Sequence, residues 1–133
     1  MKYDTIIIEE GELNILKRIM SMSRYLNDKS YKASISHLYA ELEKVKVINE
    51  EEIPEDVIRF NSIVTFDTPF SKNQSYQIVT PENGDVKNNK ISVLAPMGLA
   101  LFGYAKGDEL TWEFPSGESI IKIIDVVQPE NND

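Results

Sequence analysis

The chain has 133 residues, 41% hydrophobic and 27% charged, a balance that excludes wholesale disorder and supplies a core without disulfide or metal staples. It has no cysteine, which rules out disulfide frameworks and thiolate metal centres. With 14 basic against 22 acidic residues the net charge is −8, so phosphate backbones are repelled at long range and no autonomous nucleic-acid binding is expected.

The longest apolar runs, Ile6 to Ile8 and Leu99 to Phe102, fall far short of the roughly 20 residues that span a bilayer. One lysine followed by Tyr3 and Asp4 makes a poor secretory signal. A cytoplasmic protein with no membrane partner is expected.

Tyr3 to Ile8 is apolar and β-branched, which predicts a short strand or a clamp lying on the core. From Glu9 the period becomes helical. Glu9, Glu10 and Glu12 suit the positive end of a helix dipole. Leu13, Leu16 and Met20, with Ile15, Ile19, Met22 and Leu26, form a wide apolar stripe. Asn27-Asp28-Lys29-Ser30 then breaks the pattern. A second helix is expected from Lys32 to Val47, with a seam of Ile35, Leu38, Leu42 and Val45 at alternating steps of three and four. Two helices joined by a short turn run antiparallel, so the expectation is a helical hairpin. Arms of about 16 to 18 residues would be ~25 Å long.

Asn49 to Asp56, with Glu50-Glu51-Glu52 and Pro54, reads as an acidic connector and the best domain boundary, dividing residues 1–49 from residues 50–133. Beyond it the period changes to two. Strands are expected at Asn61–Phe66, Ser75–Thr80, Ile91–Leu94, Asp108–Phe114 and Ser119–Val127, the last two joined by a hairpin at Pro115-Ser116-Gly117. Pro81 to Lys90 should be a mobile loop. Pro96 to Phe102 should be a short helix, with proline at its first position and Gly103 just past its end. The fold class is therefore α+β, a helical hairpin followed by a small antiparallel sheet carrying one helix.

Catalytic signals are thin. His37 is the only histidine and lies beside the seam residue Leu38, where an ordinary surface histidine is expected. A second histidine or a cysteine would be needed for a transition-metal site or a cysteine–histidine pair. No phosphate cradle, dinucleotide fingerprint or nucleophile elbow can be matched. Trp112 alternates with Leu110 and Phe114 along a strand, as core residues do. No cofactor, no metal and no catalytic residue are expected.

Two stretches carry a resemblance. ISVLAPMGLALFGYAKGDELTWEFPSGE, Ile91 to Glu118, resembles the carboxy-terminal domain of the Gre transcript-cleavage factors, with its I-S-x-x-(S/A)-P-x-x-x-A-L-x-G segment, G-D and P-x-G hairpin. IPEDVIRFNSIVTF, Ile53 to Phe66, the ending Gln128-Pro129-Glu130 and the short amino-terminal hairpin are similar to the regulator of nucleoside diphosphate kinase group, the short-finger relatives of Gre. The resemblance implies a domain similar to FK506-binding proteins and, as partner, bacterial RNA polymerase gripped at the mouth of its secondary channel. In Gre relatives the contact includes the residues just before the short helix. Here that implies Leu94, Ala95 and Pro96, with Met97 and Leu99 continuing an exposed apolar surface. The family often has an acid and a serine where this chain has Leu94 and Ala95.

Gre factors push a much longer hairpin, tipped with a pair of acids that hold magnesium, down the channel. This chain departs in arm length and in its tip. Arg24, Lys29 and Lys32 surround the lone carboxylate Asp28, a net charge of +2 that repels a divalent cation. The resulting expectation is a monomeric, non-catalytic regulator of RNA polymerase. A Gre-like cleavage factor using Asp28 and an FKBP-like interaction module without a polymerase role are the alternatives.

Overall fold

The computed structural model describes residue 3, residues 5–22, residue 27, residues 29–114 and residues 117–129. The chain begins with β1 (Ile7–Glu9), which runs directly into α1 (Glu10–Met20). Glu9 caps that helix: its carboxylate accepts from the backbone N–H groups of Gly11 at 2.8 Å and Glu12 at 3.0 Å. The helix ends at Met20, earlier than the apolar stripe predicts. Ser21 Oγ donates to the carbonyl of Arg18 at 2.8 Å, and the Ser21 N–H is shared between the carbonyls of Lys17 and Arg18. Leu16, Ile19 and Met20 are buried, while Ile15 of the predicted stripe is exposed.

The second helix, α2 (Lys29–Leu42), starts and stops earlier than expected. Its 14 residues and the 11 of α1 are fewer than the predicted arms hold. Beyond it Val45 to Ile48 is rich in β-branched residues, and β2 (Lys46–Ile48) is extended. β1 and β2 pair in parallel, Ile7 opposite Lys46 and Glu9 opposite Ile48. The predicted clamp at the amino terminus is thus half of a two-stranded ribbon.

The larger sheet contains β3 (Ile63–Thr68), β4 (Ser71–Val79), β5 (Lys90–Ser92), β6 (Glu109–Phe114) and β7 (Gly117–Val127), in the spatial order β5-β4-β3-β7-β6. It is a mixed sheet, which corrects the antiparallel expectation: β5 runs parallel to β4, with Gln77 opposite Lys90 and Val79 opposite Ser92. The segment from Pro81 to Asn89, expected as a mobile loop, contains two single-turn 3-10 helices, Pro81–Asn83 and Val86–Asn88. They carry the chain across so that β5 enters alongside β4 in the same direction.

Between β5 and β6 sits α3 (Pro96–Leu101), the short helix that Pro96 and Gly103 predict. Its residues are apolar, and Leu99, Ala100 and Leu101 are buried. Gly98 lets it lie against β5, because a Cβ there would stand 2.1 Å from the Ser92 carbonyl oxygen. Gly103, at φ +86°, does the same for the amino terminus, since its Cβ would meet Ile6 Cγ2 at 2.1 Å. Through this approach Ile7 N donates to Gly103 O at 3.2 Å and Gly103 N to Ile58 O at 3.1 Å.

One continuous core joins α1 and α2 to the sheet. Leu16, Met20, Ile35 and Leu38 share a cluster with Phe66, Ile78, Leu101, Ile121 and Ile123. At the roughly 1.5–3 kcal/mol of a fully buried aliphatic side chain, these contacts, more than helix propensity, hold such short helices. No helix among the described residues is long and apolar enough to cross a membrane.

Candidate functional site

Three places follow from the sequence and from the fold: the entry to α3, the junction around Arg59, and the stretch between α1 and α2.

The entry to α3 is a tight turn built by Ser92. Its Oγ accepts from Leu94 N at 3.1 Å, and its carbonyl accepts from Ala95 N at 3.0 Å. Val93 N donates to Val79 O at 2.8 Å and fastens the turn to β4. Ala95, at φ −66° and ψ 150°, is the N-cap of α3, and its carbonyl accepts from Leu99 N at 2.9 Å. The geometry brings Leu94, Ala95, Pro96, Met97 and Leu99 into one turn and the helix that follows it, as the resemblance implies. It also corrects the expected exposed apolar surface. Leu94 is fully buried, and Leu99, Ala100, Leu101 and Phe102 are buried with it. A six-residue helix made of apolar residues turns most of them inward. What is half-open to a partner there is Ala95 and Met97.

The basic stretch is seen in part. Lys29 and Lys32 lie in the first turn of α2 and are exposed. Arg24 and Asp28 fall outside the described residues, so the +2 tip is not described as a unit.

The junction around Arg59 is a site that sequence reasoning missed. Arg59 Nε donates to Glu12 Oε1 at 2.8 Å, and both terminal guanidinium nitrogens donate to the carboxylate of Glu50. The planar fork thus links α1, the 3-10 turn Glu50–Glu52 and the approach to β3. Its backbone is fixed as well: Arg59 N donates to Ser62 Oγ at 2.7 Å, and Ser62 N donates back to Arg59 O at 3.1 Å. Ser62 Oγ donates to Gln128 Oε1 at 2.6 Å, and Gln128 Nε2 donates to the carbonyls of Val57 at 2.7 Å and Glu55 at 3.1 Å. Ile53–Phe66 and Gln128, two of the segments that carry the family resemblance, therefore meet in one hydrogen-bonded knot.

The two glutamates respond oppositely. Burial pushes the Glu12 carboxyl above the usual glutamate range, and Arg59 only partly offsets it. The hydrogen bond from Arg59 holds the exposed Glu50 below that range. Burial opposes the charge of Arg59, but the hydrogen bonds it donates to Glu50 and Glu12 outweigh it and keep the guanidinium charged. The signal in the sequence was one arginine in the apolar stretch Val57-Ile58-Arg59-Phe60, just after three consecutive glutamates. Such an arginine needs a carboxylate partner.

The comparisons with known proteins fit this arrangement. The family model described as transcription elongation factor, GreA/GreB, C-term matches residues 53–128. The chain is 37% identical over 93 residues to transcription elongation factor GreA of Caldanaerobacter subterraneus subsp. tengcongensis, a match covering 69% of this chain and 59% of that protein. It is 37% identical over 81 residues to the regulator of nucleoside diphosphate kinase of Escherichia coli K12, covering 60% of each. The match thus spans about three-fifths of the length of these curated relatives. Among solved structures, a prokaryotic transcription elongation factor GreA/GreB from Nitrosomonas europaea superposes with a TM-score of 0.73 at 33% identity, over 92% of this chain and 99% of that one.

Proposed function

Because the chain belongs to the GreA/GreB transcription elongation factor family, we propose that it binds bacterial RNA polymerase near the secondary channel and regulates transcription without cleaving transcripts. In this reading residues 50–133 form the docking module, of FKBP-like type. Residues 1–49 form a short antiparallel prong. One pairing of observations carries it: a Gre carboxy-terminal match over residues 53–128 stands beside helices of only 11 and 14 residues. At 1.5 Å per residue such helices extend ~17 and ~21 Å. That is a short reach for a device acting at a deeply placed catalytic centre. The sequence from Arg24 into the first turn of α2 offers Asp28 as its one carboxylate among Arg24, Lys29 and Lys32, a poor recruiter of magnesium.

Docking at the α3 entry would use Ala95 and Met97, with the buried Leu94 and Leu99 holding the turn in shape. Hot spots of this kind are small and depend on a rigid support. The factor would then act by occupying the channel mouth and excluding longer-fingered relatives.

The direct test is a pull-down of core RNA polymerase with the full chain, paired with an assay on stalled, backtracked complexes. Retention of polymerase at micromolar concentration, with transcript cleavage at the polymerase's intrinsic rate, is the expected result. Absence of binding by a folded protein removes the docking reading. Cleavage above the intrinsic rate that disappears in Asp28→Ala would replace the regulator with a cleavage factor.

A further inference from the structure

A cavity of about 150 Å³ opens between α2, α3 and β6, away from the Arg59 junction. Its walls are apolar and include Ile8, Leu38, Leu42, Leu99, Phe102 and Leu110. Three polar residues also line it, one of them the exposed Thr111 of β6. Glu41 comes from the last turn of α2, and Tyr104 follows α3.

Both are half-buried, and neither side chain has a hydrogen bond or ion pair with another described residue. A largely apolar space of this size accommodates a benzene-sized guest. A half-buried carboxylate on the wall gives a cation delivered beside it a charge-assisted hydrogen-bond acceptor. The field there is negative: burial first, then the charges of Glu41 and Asp108, hold the Tyr104 hydroxyl above the usual tyrosine range. Size, wall chemistry and charge therefore select one kind of guest.

We propose that this cavity is a binding site for a small arylalkylamine, whose ring fills the apolar space and whose ammonium group bonds to Glu41. The phenol of Tyr104 accepts a second ammonium hydrogen. A neutral analogue keeps the ring contacts and loses the charge-assisted bond. An anionic one meets Glu41 as a like charge. Because α2 forms one wall and α3 with β6 the other, a bound amine fastens the helical segment to the sheet. This site is independent of the polymerase reading.

Benzylamine, benzyl alcohol and benzoate titrated into the full chain, followed by amide chemical-shift changes and thermal shift, test it. Benzylamine should perturb the amides of Leu38 to Leu42, Leu99 to Tyr104 and Leu110 to Thr111. It should bind about tenfold more tightly than benzyl alcohol, the size of one charge-assisted hydrogen bond. Benzoate should not bind. Glu41→Gln, a substitution at a half-exposed position, should erase the preference and leave benzyl alcohol binding intact. Equal affinity for amine and alcohol, a preference that survives Glu41→Gln, perturbations elsewhere on the chain, or no binding of benzylamine at millimolar concentration would each overturn the proposal.

Discussion

Glu12 on α1 and Arg59 before β3 are 47 residues apart in sequence and joined by a 2.8 Å hydrogen bond. Their side chains are only 13% and 19% exposed, so water does little to replace either partner. Arg59→Ala should therefore destabilise the fold by roughly 1–3 kcal/mol, because it strands a desolvated carboxylate. Glu50→Gln should cost well under that, because the Glu50 side chain is 65% exposed and an exposed ion pair contributes about 0–1 kcal/mol. Urea unfolding of the two variants checks the order. Equal losses would mean that the link to α1 adds nothing beyond a surface pair.

The same pair sets an acid response. The folded pKa of Glu12 is raised, so between its ordinary and raised values the folded chain holds more protons, and this group's contribution to stability falls as pH rises. The folded pKa of Glu50 is lowered, so its contribution is present above the ordinary glutamate value and is lost as pH falls through the folded one. In the wild type the two oppose each other. As pH falls from about 7 to about 3, Glu12→Gln should steepen the loss of stability above the ordinary glutamate value, and Glu50→Gln should lessen the loss below it. Unfolding midpoints across that range in the three proteins decide; parallel curves would refute the assignment.

Gly98 is a packing requirement. The Ser92 carbonyl oxygen stands 2.1 Å from where a Cβ would lie, so Gly98→Ala must push α3 off β5. Overpacking of this kind costs about 1–3 kcal/mol. The prediction is a lowered melting temperature together with weaker polymerase retention, since the α3 entry moves with the helix. An unchanged melting temperature would show that the helix shifts without resistance.

Met97 and Lys29 separate the two proposed contacts. Met97→Asp puts a charge on the half-open part of the α3 entry and should reduce polymerase binding about tenfold or more. Lys29→Ala removes one exposed charge and should change it by less than about threefold. Affinity measured against core polymerase at fixed salt checks this, and the reverse order would make the start of α2 the principal contact.

Much of the fold is legible in the residues because local signals and tertiary outcome agree. The period of two places β3, β6 and β7, and Pro96 with Gly103 marks the limits of α3. The strand at Tyr3 to Ile8 is legible in part as β1, but its partner β2 is not, because a strand of three residues is too short for a period. The direction of β5 depends on how Pro81 to Asn89 crosses, which pattern alone does not encode. Leu94 and Leu99 are buried where an exposed surface is expected, because a short helix that is mostly apolar turns most of its residues inward. The Arg59 knot stayed hidden because its members, Glu12, Glu50, Ser62 and Gln128, are scattered along the chain, and only folding collects them.

The ribbon of Ile7–Glu9 with Lys46–Ile48 has an evolutionary corollary. It fixes the points where the polypeptide departs from the platform and returns to it. The stretch between them still lends Leu16, Met20, Ile35 and Leu38 to the shared core. Matched insertions beyond those residues would lengthen both helices turn by turn while the ribbon and the core stay intact. A lineage could in this way trade reach for compactness, and with it one role for another, without rebuilding the part that holds on.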